Sequence, residues 1–553
     1  MLAKVQSAAP RIRALWDRLR AGWSSVGRAP ARPGGDGPSG VSFDRRAIPE
    51  TVKASLQTWL ALLVAAYVCT VFLLPVTLSS VSYDEEFFVW AGWSLRKGLV
   101  PYREFFDFKP PMIAFTYAFA LKVFGLAGQH YRYFFYCLAL GSQLLLTLAL
   151  IRAGVRRVLA VVTVVTFTWL YANQGYHDSS IADAESIGMG YYVIGLACLL
   201  MRTERVRLWR FFGGVFLALS AASKEPFVLP IFFTWAAFGF RDTSSPWYRS
   251  KLLYARDTLL GVGTAAGLIV GYLAIRGGLP AYIQLLRWYG PFSKQICITI
   301  GLWKPTASWQ ETVETIWHRM NKALFNFQDL AGLLPALFAA LFIPRPGRRA
   351  YAILSFLAAA SAAYATTLGH CFFKHYYVLG MSGLFFMAVV GLEAMSYLMK
   401  RASPALARWF TALVLMLCVG GFLPVFRSYY GGHYEATGPT SFQPDLKAFV
   451  VEHTKPDDYI FTTGAPGLYV YSDRRSAVRE SAILDEFLML YPGNTDEEKL
   501  SAMRAELVSH MPKVVVLSKA HWLRKQRHLA ALLYPFLSQF GYRKISEEIY
   551  VLP

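Results

Sequence analysis

The chain has 553 residues, 55% hydrophobic and 16% aromatic, and only 16% are charged. Soluble domains carry roughly 25% charged residues, so this balance, with repeated apolar runs of about 15–20 residues, excludes an ordinary soluble globule and indicates an integral membrane protein. The formal charge of +21 does not imply nucleic acid, because the Lys and Arg gather in short clusters between apolar runs, as the positive-inside rule expects of cytoplasmic loops.

In chain order, residues 1–58 read as a basic cytoplasmic tail and linker. The first long apolar run begins only near Trp59, too late for a cleavable signal peptide. Arg11 to Arg20 carries Ile12, Leu15, Trp16 and Leu19 at helical spacing among arginines. Such a stretch suits a helix lying on an anionic leaflet, and equally a disordered basic tail. Ala29 to Gly40 is rich in Pro and Gly and reads as a flexible linker.

Residues 59–426 read as a transmembrane bundle. Trp59–Leu78 leads outward from the basic tail, and a first outer loop, 79–132, follows. Within it, Met112–Phe124 is too short to cross a hydrocarbon core of roughly 30 Å and is expected as an interfacial or re-entrant helix. Further spans are expected at Tyr133–Ile151, Val158–Tyr171, Ile187–Met201, Phe211–Ala222, Pro226–Phe240, Thr258–Ile275, Leu330–Ile343, Ala350–Thr366, Tyr376–Met399 and Phe410–Phe426. That makes about eleven crossings, with every basic cluster on the cytoplasmic side. Counting Met112–Phe124 as a crossing would reverse them all.

Residues 427–553 change character. Residues 456–463 and 512–518 look like short buried strands, and 481–490 and 497–510 look helical, which predicts a small extracytoplasmic α/β domain. The fold class expected is therefore mainly α, a polytopic helix bundle with a small α/β appendage. No GxGxxG or P-loop pattern suggests a nucleotide. The six cysteines show no metal-like spacing. Cys69, Cys137, Cys198 and Cys418 lie in apolar runs, whereas Cys297 and Cys371 fall in outer segments where a disulfide could form.

The unusual polar residues converge on the outer face under this topology. Ser82 to Pro111 packs Asp84, Glu85, Glu86, Glu104 and Asp107 beside Arg96, Lys97, Arg103 and Lys109 among aromatics. A later outer loop carries His177, Asp178, Asp183 and Glu185. Lys224 and Glu225 cap a tight hairpin, and His370, Lys374 and His375 end another span. Ionisable groups at membrane depth are costly and mark sites or pathways; a solvated loop is the plain reading for any one of them alone.

Four stretches of this outer face resemble a known group. Tyr83-Asp84-Glu85-Glu86, then Gly98 to Tyr102 (GLVPY) and Phe106 to Pro111 (FDFKPP), resemble the first-loop signature of polytopic GT-C glycosyltransferases. The nearest likeness is to protein mannosyltransferases and the bacterial aminoarabinose and galacturonic acid transferases of lipid A and its core. His370 to Tyr377 (HCFFKHYY) resembles the His-Tyr stretch before a late span in those proteins. The resemblance implies transfer of a sugar from a polyprenyl-phosphate donor to a glycan, lipid or protein acceptor at the outer face of the inner membrane.

The residue chemistry fits such a transfer. A sugar hydroxyl is a poor nucleophile, and a carboxylate beside it serves as general base; Asp84 is the first choice and Glu85 the alternative. The leaving phosphate calls for cations, with Lys109 first and Lys224 and His375 behind it. Asp107, Asp178, Asp183, Glu185 and His370 are the expected substrate-binding set. No cofactor is implied with certainty; a divalent cation would use Asp84, Glu85, Glu86 and Asp183 or Glu185, since hard cations take clustered carboxylates. The competing readings are a transporter or lipid-carrier flippase, which would place charges mid-span and often show internal repeats, and a non-catalytic scaffold for envelope assembly.

Overall fold

The structure, a computed structural model, describes residues 50–78, 83–105, 109–176, 181–241, 247–287, 349–365, 444–479, 495–517 and 527–553, with isolated positions between. Two compact units are distinguished, Met1–Lys53 and Ala54–Pro553. Only the last residues of the first are described, as the start of a helix.

Ten helices build the described part of the bundle: α1 (Glu50–Leu78), α2 (Tyr83–Arg96), α3 (Met112–Phe124), α4 (Arg132–Arg152), α5 (Arg157–Tyr176), α6 (Ala184–Leu200), α7 (Val206–Ala221), α8 (Val228–Gly239), α9 (Trp247–Ile275) and α10 (Arg349–Ala365). Among the described residues three stretches, Val52–Leu78, Arg132–Arg152 and Ser250–Ile275, are long and apolar enough to cross a membrane. Their outward faces show why: Leu56, Trp59, Leu60, Leu63 and Tyr67 on α1, and Leu259, Leu260 and Leu268 on α9, are all exposed. Water would penalise such a stripe, whereas lipid accepts it. The other apolar helices are shorter. Of the remaining expected spans, 330–343 and 410–426 lie outside the described residues, and 376–399 shows only isolated positions.

The short helix Met112–Phe124 forms with the boundaries expected of it. The acidic-aromatic stretch before it, read as loop, differs: Tyr83–Arg96 is a 14-residue helix. Phe87, Phe88, Val89, Trp90, Ala91 and Trp93 are all buried, so α2 is apolar all round after its acidic first turn. A helix enclosed on every side has no amphipathic stripe to announce it.

Small residues set the close crossings. A Cβ at Gly92 of α2 would stand 2.5 Å from the Cβ of Tyr117 on α3. One at Gly214 of α7 would collide with the backbone of Thr258 on α9, and one at Gly261 with that of Phe211. Backbones approach this closely only where side chains are absent.

The C-terminal segment adds α11 (Pro444–His453), β1 (Tyr459–Thr462), α12 (Gly467–Ser472), β2 (Arg475–Ser476), α13 (Asp496–His510), β3 (Val514–Val516), α14 (Arg527–Gln539), β4 (Arg543–Lys544) and β5 (Ile549–Val551). The strands form a sheet in the order β2-β1-β3-β5-β4. β1 pairs parallel with β2 and β3, and β5 pairs antiparallel with β3 and β4. Alternation along the strands sends residues to opposite faces. Ile460, Val514 and Val516 join the same core as the helices, while Phe461, Val515 and Leu517 pack with Leu529 and Phe536. Strands β1 and β3 and helix α13 fall where the sequence placed them. The expected helix at 481–490 and the boundary at 427 lie outside the described residues.

Candidate active site

The first turn of α2 holds Asp84, Glu85 and Glu86, where the positive end of a helix favours anions. Glu85 and Glu86 are buried and Asp84 is half-buried. A buried carboxylate costs several kcal/mol unless paired, and Glu85 is paired. Its Oε1 accepts the Tyr131 hydroxyl at 2.9 Å and sits 2.9 Å from Arg132 Nε. Both partners open α4, and both are buried.

Tyr117 of α3 stands at the centre of this group. Its hydroxyl donates to the Ala182 carbonyl at 2.6 Å, one residue before Asp183, the N-cap position of α6. The hydroxyl lies within reach of the charges of Glu85, Asp183, Arg132 and Asp84. Two carboxylates far apart in sequence, Asp84 and Asp183, thus both lie near enough to act on this hydroxyl.

A second ion pair lies along the same helix end. Glu185, in the first turn of α6, sits 2.7 Å from Lys224 Nζ, with both side chains almost fully buried. The turn between α7 and α8 makes this possible. The Ser223 and Lys224 N–H groups donate to the Ser220 carbonyl, and Ser220 Oγ donates to the Gly188 carbonyl at 2.7 Å. Phe227 then packs on Gly188, where a Cβ would come within 2.6 Å of its ring. The hairpin is thus pinned to the second turn of α6, and Lys224 meets Glu185.

Lys109 arrives from a third direction. The Met112 N–H donates to the Ala222 carbonyl at 3.1 Å, docking the Lys-Pro-Pro segment on the hairpin. Lys109 is buried, and Glu225 feels the charges of Lys224, Lys109 and Glu185. The strap before it is held by its own bonds. The Tyr102 hydroxyl donates to the Lys109 carbonyl at 2.8 Å, with Tyr102 in the left-handed region at φ 66°. Glu104 accepts the Val100 N–H at 2.7 Å and pairs with Arg103; Arg103 and Arg276 close the loop onto the end of α9. Burial alone would raise the Glu104 carboxyl. The hydrogen bond from Arg103, the Val100 N–H and the charges of Arg103 and Arg276 more than offset it, so the group is held below the usual range.

The C-terminal segment reaches the same place through α12. Tyr469 packs on Trp90 with ring centroids 6.1 Å apart, and Asp473 pairs with Lys97 at 2.8 Å. Burial first, then the charges of Glu86 and Glu85, push the Tyr471 phenol well up. It remains a neutral hydrogen-bonding group beside the carboxylates.

Of the residues expected from sequence, Asp84, Glu85, Lys109, Asp183, Glu185 and Lys224 are brought together at one end of the bundle. Asp107, Asp178, His370 and His375 lie outside the described residues, as does His177. Cys297 and Cys371 do as well. Among the described residues no three of His, Cys, Asp and Glu come together as ligands for an ion, and Glu85 is already engaged by Arg132.

Arg132, Tyr131, Tyr117 and Tyr471 were not singled out in the sequence. Arg132 did carry a signal: it is a cation opening an apolar run, at the end the positive-inside reading assigns to the outer face, and such a charge needs a partner. The tyrosines carried none, because aromatics at span ends are ordinary interface anchors.

Solved structures share this arrangement of helices, and its long apolar helices suit a multi-pass membrane protein. The chain aligns with ArnT from Cupriavidus metallidurans in the apo state at a TM-score of 0.53 and 15% identity, over 91% of this chain and 98% of that one. With the same protein bound to undecaprenyl phosphate the TM-score is 0.52 at 15% identity, over 90% and 98%. The oligosaccharyltransferase of Archaeoglobus fulgidus gives 0.49 at 12% identity, over 87% and 71%. No protein-family model matches the chain, and no curated protein matches it in sequence.

Proposed function

We propose that this chain is a membrane glycosyltransferase. It moves a sugar from a polyprenyl-phosphate-linked donor to an acceptor hydroxyl at the outer face of the inner membrane, with its N-terminus in the cytoplasm and its C-terminal α/β domain, 427–553, outside. The observation that carries this reading is the meeting of Asp84 and Asp183 around Tyr117, beside a buried Lys109 and Lys224, on a fold shared with ArnT.

Asp84 is the general base. Glu85 is committed to Arg132 and Tyr131, whereas Asp84 is half-buried in the same turn and open to a substrate. As Asp84 takes the acceptor hydroxyl proton, the acceptor oxygen bonds to the anomeric carbon and the bond from that carbon to phosphate oxygen breaks. The electron pair leaves on the polyprenyl phosphate. Its second pKa is about 6, so it departs as the dianion without an acid to protonate it. What the departure needs is fixed positive charge. Lys109 supplies it, with Lys224 and His375 around the phosphate, and Asp107, Asp178, Asp183, Glu185 and His370 on the sugar and acceptor.

The test is Asp84→Asn in the full chain reconstituted in vesicles with a polyprenyl-phosphate sugar. Transfer is expected to fall by about 10²–10⁴-fold, with thermal stability unchanged. Transfer at the wild-type rate removes Asp84 as the base. Mass spectrometry of envelope glycans with and without the gene names the sugar.

A further inference from the structure

Helix α6 has 17 residues, so its two ends stand about 25 Å apart. The end away from Glu185 borders a cavity of about 510 Å³ lined by Arg202, Arg210, Arg241, Glu204, Phe238 and Tyr254 among others. Its size is within the roughly 300–1,000 Å³ of small-molecule sites. Three arginines and one glutamate line it, and the proposed transfer uses none of them.

Two of the three arginines, Arg241 and Arg210, are held in place before any ligand arrives. Arg241 is buried and donates to the Leu199 and Leu200 carbonyls at 3.4 Å each, at the negative end of α6. Its guanidinium lies 5.5 Å over the Phe238 ring. Arg210 lies 5.6 Å over the Tyr254 ring, and Tyr254 is itself fixed by donating to the Trp235 carbonyl at 2.9 Å. Capping a helix end accounts for Arg241. It does not account for Arg202 and Arg210, whose charge adds to the same cavity. Planar, pre-oriented guanidiniums beside apolar walls are a receptor for a phosphate attached to something greasy.

The flanking surface says what that is. Leu208 and Phe212 of α7, each two residues from Arg210, and Leu252 of α9, two residues from Tyr254, are exposed, apolar surface suited to acyl chains. We propose that the cavity binds the phosphate of an anionic phospholipid in the leaflet opposite the active site, which the positive-inside reading makes the cytoplasmic one.

The experiment is native mass spectrometry of the full chain released from nanodiscs of phosphatidylglycerol and phosphatidylcholine in equal parts. Wild type is expected to retain phosphatidylglycerol preferentially, and Arg202→Gln with Arg210→Gln to cut that retention about tenfold, the effect of losing charged hydrogen bonds. Glu204→Gln, which removes the opposing charge, is expected to raise it. Equal retention of the two lipids, or a preference unchanged in the double variant, overturns the proposal. So does loss of all lipid preference with protection by inorganic phosphate alone, which would make the ligand a free anion. Asp84→Asn is expected to keep the lipid preference, so this result stands or falls separately from the transferase reading.

Discussion

At the end of α6 that carries Asp183 and Glu185, Glu85 and Arg132 stand 2.9 Å apart and Glu185 and Lys224 2.7 Å apart, all four buried. At the other end, Arg202, Arg210 and Arg241 surround a cavity with Glu204 as the one acidic residue among its lining. The two ends handle charge differently because they differ in access to water. A buried ion without a partner costs several kcal/mol, and in the bundle Glu85 is matched by Arg132 and Glu185 by Lys224. Around an open cavity water screens the excess, and an unbalanced set of cations persists to attract an anion from outside.

Removing one partner at each end tests that contrast. Arg132→Met strands Glu85 in the core and is expected to cost about 3–5 kcal/mol, with much of it recovered in Glu85→Gln with Arg132→Met. Arg202→Gln, on an exposed arginine, is expected to stay within about 0.5 kcal/mol of wild type. Thermal unfolding of the full chain in detergent reads both; equal losses would erase the distinction between the two ends.

Within the paired end, Lys109→Gln separates binding from packing. Losing one charged hydrogen bond to the carrier phosphate is worth about 1.5–3 kcal/mol, so donor affinity is expected to fall roughly 10–100-fold. Unchanged affinity in a donor-binding titration moves that role to Lys224 or His375.

The smallest effect concerns the strap that places Lys109. The Glu104 carboxyl is held below its ordinary value, so its contribution is fully present above the unfolded value and is lost as pH falls through the lowered folded one. Its partner Arg103 is half exposed, which limits the worth of the pair to about 0–1 kcal/mol. Amide exchange at Val100 is expected to accelerate as pH drops below the usual carboxylate range, after correction for intrinsic rates. In Glu104→Gln the extra acceleration should vanish.

Much of this molecule could be read before it was folded. Apolar run lengths marked the helices, and Met112–Phe124 took the bounds its run gave it. Strands β1 and β3 announced themselves as brief β-branched runs. Asp84, Lys109, Asp183, Glu185 and Lys224 stood out because ionisable residues are rare beside lipid. The α2 helix was hidden, since burial on all sides erases the periodicity by which a helix is recognised.

Composition and run length determined that this chain is a membrane bundle with its unusual ionisable residues gathered between apolar runs, since solvation cost acts residue by residue and needs no knowledge of neighbours. Pairing is another matter. That Glu85 spends its charge on Arg132, that Lys224 meets Glu185, and that Tyr117 gathers Asp84 and Asp183 were decided only when Gly92, Gly188 and the Ser220 tie let segments distant in sequence come into contact. Packing is a property of surfaces that exist only after folding, so no single stretch of sequence contains it.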